Sequence, residues 1–405
     1  MQFLGKEAAY WRLRFKGAAL LLLTLGLYRF WFATDVRRFL WANTEIAGDT
    51  LEYTGLATEL LVGFLFAIAI VVPLYTVFAI GALELGPRAA ASALGALVLV
   101  ALLAEFALYR ARRYRLTRTV FRGVQFDQHG AAWRYAVYAL MWWSIAAVTL
   151  GLAYPWAQSK LQRFKMAHTC YGDLAGSFAG RGMSLFWRGL PIWLMVVGPI
   201  LFAFFALGAL IDWNALDGAV ARGDQATLAF IEASPGFRRG IGIAFLCVAV
   251  SAMAAALLYP LFQAISLRWW LSGLRFGGLA VTSHLKTGQV YRVYLRFALY
   301  IVALMAITAV VGGVCLLVVS TLVGPRHDST PGELIATIIT VGFYVVIALG
   351  ASIVHQVVVT LSLWRLGLQS AELTGAEVLD SVRAAGLPSS ALGEGLADAL
   401  GVGGM

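Results

Sequence analysis

Leu60–Ile80 reads LLVGFLFAIAIVVPLYTVFAI, an unbroken run without a charged residue. A helix needs about 20 apolar residues to cross the hydrocarbon core of a bilayer, so this stretch reads as a membrane span. Leu190–Ile211, Gly240–Leu267, Phe297–Pro325 and Leu334–Trp364 are also uncharged at this length, and Ala89–Tyr109 is interrupted only by Glu105. The rest of the chain agrees. Of 405 residues, 60% are hydrophobic and 13% charged. A water-soluble domain carries about 25% charged residues. Half that supply cannot cover a surface facing water, so the bilayer solvates most of this one.

Two further apolar segments, 17–31 and 135–159, are harder to place. Lys16 and Arg29 enclose too short a run to span, and the second segment carries Trp142, Trp143, Tyr154 and Trp156, residues that favour the membrane interface. The first runs directly into Arg29-Phe30-Trp31 and lacks the small-residue pattern of a cleaved leader. Charge decides between crossing and returning. If both segments crossed, the 31 Lys and Arg would divide almost evenly between the two faces. If only the six long runs cross, Arg88, Arg222, Arg238, Arg239 and Arg326 alone fall on the outer face. That asymmetry is what orientation in a membrane produces.

The expected fold is therefore an all-α polytopic membrane protein. Six transmembrane helices form three hairpins, two short helices are re-entrant or interfacial with spanning left as the alternative, and both termini are cytoplasmic. The net charge of +10 flanks apolar runs. It reads as attraction to anionic membrane lipids rather than to nucleic acid.

Internal likeness supports this layout. Thr24-Leu25-Gly26-Leu27 recurs as Thr149-Leu150-Gly151-Leu152, and at the same offset Arg38-Phe39 matches Arg163-Phe164 and Thr44 matches Thr169. Tyr154-Pro155 and Arg163 are echoed by Tyr259-Pro260 and Arg268, with weaker copies at Arg113 and Arg365. Each copy runs from an apolar segment through an Arg into a Gly-punctuated stretch. Residues 44–54 predict a small cytoplasmic β-hairpin around Gly48-Asp49, with others at 118–126 and 274–282. The chain divides into a first repeat (1–130), a second (131–285, with an outward loop 212–239 holding one amphipathic helix at 217–231), a shortened third (286–370) and a polar tail (371–405).

The stretch Thr24–Trp31, then Val36-Arg37-Arg38-Phe39-Leu40-Trp41-Ala42-Asn43-Thr44, then Gly48-Asp49, Glu52-Tyr53-Thr54-Gly55 and Glu59-Leu60, resembles the YjgN family of bacterial inner-membrane proteins, a group defined by a domain of unknown function. The resemblance implies a multi-pass inner-membrane protein and implies no activity. The second copy departs from the pattern, with His168 in place of Asn43 and Pro155 in place of Phe30.

Candidate functional residues fall into two groups. Arg37, Arg38, Arg113, Arg115, Arg118, Arg163 and Arg268, with Trp41 and Asn43, would gather at one membrane face and grip lipid phosphates. The competing reading is that they fix topology and snorkel to headgroups. Glu59, Glu105 and His355 are the polar candidates at or inside spans. Glu105 is a costly intramembrane carboxylate or the partner of nearby Arg110 and Arg112. Glu59 suits the start of a helix. His355 suits a helix-packing hydrogen bond or a ligand site. The three cysteines, Cys170, Cys247 and Cys315, form no Cys-x-x-Cys pair, and neither a metal site nor a cofactor is indicated. No phosphate-binding loop, His-Glu-x-x-His or Gly-x-Ser-x-Gly motif is present, so an enzyme is not expected. The open alternatives are a transporter or channel-like protein, suggested by duplication and by Pro73, Pro191, Pro199 and Pro260 within spans, and a non-transporting protein that binds anionic lipid or scaffolds an envelope partner.

Overall fold

The computed structural model describes residues 1–82, 87–323 and 330–384. It comprises two compact units: Met1–Leu140, Arg163–Ala179 and Leu271–Met405 form one, and Met141–Gln162 with Gly180–Trp270 form the other.

Among the described residues, six helical stretches are long and apolar enough to cross a membrane, and they coincide with the six long apolar runs. They are α3 (Ala57–Ala82), α4 (Pro87–Thr117), α7 (Gly182–Leu210), α10 (Pro235–Leu271), α11 (Thr287–Val323) and α12 (Thr330–Val354). The last continues through a π-helical segment, His355–Thr360, into α13 (Leu361–Gln369). Small residues let neighbours close up, as membrane helices do in the absence of a hydrophobic drive between them. Ala67 of α3 packs on Ala107 and Ala111 of α4, and Leu304 of α11 lies over Gly350 of α12. In the second unit the Ser251 hydroxyl of α10 donates to the Val196 carbonyl of α7.

The two segments of doubtful length are each broken into a pair of helices. These are α1 (Glu7–Leu23) with α2 (Arg29–Ala42), and α5 (Ala132–Val148) with α6 (Tyr154–Ala167). The repeated Thr-Leu-Gly-Leu is the break in both. Thr24 donates to the Leu20 carbonyl at 2.7 Å and accepts from Tyr28 N–H at 3.0 Å. Thr149 donates to Ile145 at 2.8 Å and accepts from Ala153 N–H at 3.1 Å. Leu25-Gly26 and Leu150-Gly151 are left-handed, with φ of 50° and 93° and of 51° and 90°. That conformation ends a helix, and glycine adopts it without penalty. The partners then pack antiparallel: Tyr10 meets Phe39 at 5.3 Å, and Tyr135 meets Phe164 at 5.6 Å.

Short antiparallel strands join the helices, and they bring the two ends of each broken segment together. In chain order they are β1 (Gln2–Phe3), β2 (Thr44–Ile46), β3 (Asp49–Thr50), β4 (Glu52–Tyr53), β5 (Thr119–Phe121), β6 (Val124–Gln128), β7 (Thr169–Tyr171), β8 (Leu174–Phe178), β9 (Leu274–Phe276), β10 (Leu279–Ser283) and β11 (Ala371–Thr374). Strands β4 to β11 pair in sequence as one eight-stranded sheet, and β1, β2 and β3 form a second. The expected separate hairpins are therefore joined edge to edge, which removes most of their exposed edges. Two of the hairpin turns lie at Ala47-Gly48 and Arg122-Gly123, where both residues have positive φ, the geometry that matches strand twist.

Strand β1 precedes α1 and pairs with β2, which follows α2. Strand β6 precedes α5 and pairs with β7, which follows α6. Paired strands lie about 4.8 Å apart, whereas a crossing would separate the ends by about 30 Å. Each helix pair therefore begins and ends at the sheet, and among the described residues the six long stretches remain the ones apolar enough to span. The tips are apolar and bare, with Leu25 95% and Val148 85% exposed.

One face of the sheets has its own core. Leu51, Phe121, Tyr171 and Leu279 are buried there with Leu379 of the 3₁₀ turn Ala376–Ser381. The start of the expected polar tail is thus structural: β11 completes the sheet and Leu379 covers it. Residues 385–405 lie outside the described residues. In the second unit the expected single helix at 217–231 is two, α8 (Trp213–Ala221) and α9 (Asp224–Ala233). Gly223, at φ 104°, turns the chain where a continuous helix would need right-handed geometry.

Candidate functional site

Several predicted site residues are structural ties between helices and sheet. Arg37 is buried and donates to the Tyr53 hydroxyl at 3.1 Å. The Trp41 indole donates to Thr119 at 2.8 Å, and its ring meets those of Tyr53 and Trp364. Asn43 donates to the Phe39 carbonyl at 2.7 Å and caps α2. Glu59 does more than suit a helix start. Its carboxylate receives Arg118 at 2.6 Å and the Tyr114 hydroxyl at 2.6 Å, which pins the end of α4 to the start of α3. His355 is exposed at the head of the π-helical segment, with its ring against Phe297 at 5.7 Å. The next residue, Gln356, accepts from buried Arg14 at 3.3 Å.

Arg38 and Arg163 are exposed. Arg38 donates to the Gly55 carbonyl at 3.1 Å. Arg113 keeps a buried Nε with no acceptor among the described residues. Arg268 donates to the Ala264 carbonyl at 3.3 Å within α10 and belongs to the second unit. The expected basic cluster is therefore divided between the units.

A different cluster gathers around Glu105, where α4, α5 and α6 end at the sheet. Lys165 of α6 sits 5.3 Å from the centre of the Tyr135 ring. Arg112 reaches Gln128 Oε1 at 3.3 Å and Met166 Sδ at 3.5 Å. Both acceptors are uncharged. Burial, reinforced by the positive charge of Arg112 and then Arg115, lowers the Lys165 ammonium to about 8, and Glu105 only partly opposes this. Burial, with Glu105 beside it, raises the Tyr135 phenol. Around Lys165 the positive charges of Arg112 and Arg115 thus outweigh the negative charge of Glu105. Such an arrangement favours an added oxyanion, because convergent charged donors make the strongest hydrogen bonds. Lys165, Tyr135 and Gln128 were not legible as site residues. The available signal was that Lys165 stands two residues after Arg163 in the second copy of the motif. Among the described residues, no three His, Cys, Asp or Glu side chains converge to hold a metal ion.

A family model described as a bacterial protein of unknown function (DUF898) matches residues 1–399. The chain belongs to this family. It is the YjgN-like group that the motifs at 24–60 resemble. No curated protein and no solved structure matches the chain. The DUF898 match covers both helix pairs and all six spans, so the family pattern takes in the whole fold and not the first motif alone.

Proposed function

We propose that this DUF898 protein is a non-transporting, non-enzymatic protein of the bacterial inner membrane that holds anionic lipid headgroups on its sheet side. The placement of Lys165 against the Tyr135 ring and of Arg112 against the uncharged Gln128 and Met166, with the positive charge around Lys165 exceeding that of Glu105, carries this reading. The distribution of Lys and Arg supports a cytoplasmic sheet and cytoplasmic termini. The matching Thr-Leu-Gly-Leu turns support duplication of a helix-pair unit. Anionic lipids are the expected partners and nucleic acid is not.

The test is native mass spectrometry of the purified chain with phosphatidylglycerol or cardiolipin. Arg112→Gln with Lys165→Gln should weaken retention about tenfold, or ~1.4 kcal/mol. Unchanged retention would rule the site out.

A transporter is the second reading. It rests on the two helix reversals and on Pro73, Pro191, Pro199 and Pro260 within spans. Two cavities at the level of the spans fit it poorly. One, of about 330 Å³, is lined by Met305, Ala309, Phe343 and Ile347 with Thr308 and Thr340. The other, of about 350 Å³, is lined by Leu152, Leu185, Phe186, Trp193 and Phe262. Both suit hydrocarbon better than a polar solute. Solute uptake into proteoliposomes that is lost on closing the α11–α12 cavity with Gly312→Phe would favour the transporter.

A further inference from the structure

A cavity of about 220 Å³ opens between α2 and the first turn of α3, lined by Trp31, Thr34, Asp35, Arg38, Leu56 and Thr58. It lies where the first span begins, at the depth of lipid headgroups. Exposed Leu56, Val62 and Phe66 continue from it along α3 toward the bilayer, a path for acyl chains.

The cavity holds one charge of each sign. Asp35 and Arg38 are neighbours one turn apart on α2, within about 6 Å at Cβ. Yet no ion pair joins them, and among the described residues none engages either one. Asp35 accepts from the Tyr28 hydroxyl at 3.4 Å, and Arg38 donates one guanidinium nitrogen to the Gly55 carbonyl. Each keeps charge to offer a ligand. An anionic headgroup would meet Arg38 favourably but be repelled by Asp35. A ligand with both charges satisfies both. The first turn of α3 adds N–H groups that lack helical acceptors to the phosphate side.

We propose that this cavity binds the zwitterionic headgroup of an aminophospholipid, its phosphate on Arg38 and its primary ammonium on Asp35. Two carbons separate phosphate oxygen from nitrogen in phosphoethanolamine, which suits a pair one helical turn apart. A primary ammonium donates hydrogen bonds to a carboxylate. A quaternary choline cannot, and it is recognised instead by cages of several aromatic rings. Here Trp31 is the one aromatic ring on the wall, so choline is the poorer ligand. The site stands apart from the Lys165 cluster and does not depend on it.

The experiment is native mass spectrometry of the full chain with equimolar phosphatidylethanolamine, phosphatidylglycerol and phosphatidylcholine. Wild type should retain phosphatidylethanolamine several-fold over phosphatidylcholine, and several-fold over both other lipids once Arg112→Gln with Lys165→Gln removes the second site. Asp35→Asn should reverse the preference toward phosphatidylglycerol. Thr58→Trp, which fills the cavity from an exposed position, should lower phosphatidylethanolamine retention without changing the melting temperature. Arg112→Gln with Lys165→Gln should lower phosphatidylglycerol and leave phosphatidylethanolamine unaffected. Equal retention of all three lipids by wild type, or an ethanolamine-to-glycerol ratio unmoved by Asp35→Asn, overturns the proposal.

Discussion

Lys165 illustrates how much one side chain depends on surroundings that its own sequence neighbourhood does not reveal. It stands in a basic helical stretch that reads as topology-setting. In the fold it is desolvated against Tyr135 and crowded by Arg112 and Arg115, so its ammonium titrates near 8. The lowered value means the folded state releases this proton as pH rises through about 8, earlier than the unfolded chain does. Charged Lys165 therefore costs stability below that pH, and the cost disappears between about 8 and the ordinary lysine value. A bound anion reverses the balance by favouring the charged form. Retention of phosphatidylglycerol should accordingly fall from pH 7 to pH 9.5, and Lys165→Arg, which stays charged, should flatten that profile. Glu59 makes a second prediction at this scale. Glu59→Gln leaves Arg118 half-buried without its countercharge and weakens the acceptor for Tyr114. It should cost about 1–3 kcal/mol, seen as a lower melting temperature in detergent.

At the scale of the element, the Thr-Leu-Gly-Leu break turns two apolar segments into returning helix pairs. The hydroxyl of the Thr satisfies groups at the break, and the Gly accepts a left-handed φ. Gly26→Val or Gly151→Val forces a β-branched residue into that region, at a cost of about 1–2 kcal/mol each. The expected result is a lowered melting temperature, with Gly26→Ala losing less. The charge count favoured their return. It could not show how, because a reversal rests on two backbone angles that hydropathy does not record. The β-strands show the same limit. Turn pairs such as Arg122-Gly123 are legible locally, but strands of two to five residues carry no mark of which hairpin they will join.

For the whole molecule, the sheet gathers the sheet-side ends of helices from distant parts of the chain. Arg122, in the turn between β5 and β6, holds Asp49 at 2.6 Å and Asp380 at 2.7 Å, tying the first hairpin to the segment that follows β11. These pairs are solvent-exposed, so Arg122→Ala should cost only about 1 kcal/mol while speeding proteolysis near Asp380. Topology is tested by cysteines placed at exposed Thr50 and Asp173, in a chain whose Cys170, Cys247 and Cys315 are replaced. Both should react from the same side of the membrane, because α5 and α6 return. Asp173 serves better than its neighbour Gly172, where a Cβ would collide with the Arg383 carbonyl oxygen.

By itself, the sequence determined the six runs long and apolar enough to span, and its charge asymmetry favoured the return of the two short segments. Those follow from the spacing of charges along the chain, since each charge left in hydrocarbon costs several kcal/mol. Tertiary structure alone decided the continuous sheet, the burial of Arg37 and the setting of Lys165. It also decided the opposed charges of Asp35 and Arg38 around one cavity. These depend on residues far apart in sequence, or on a wall supplied by another helix, and hydropathy carries no such distances.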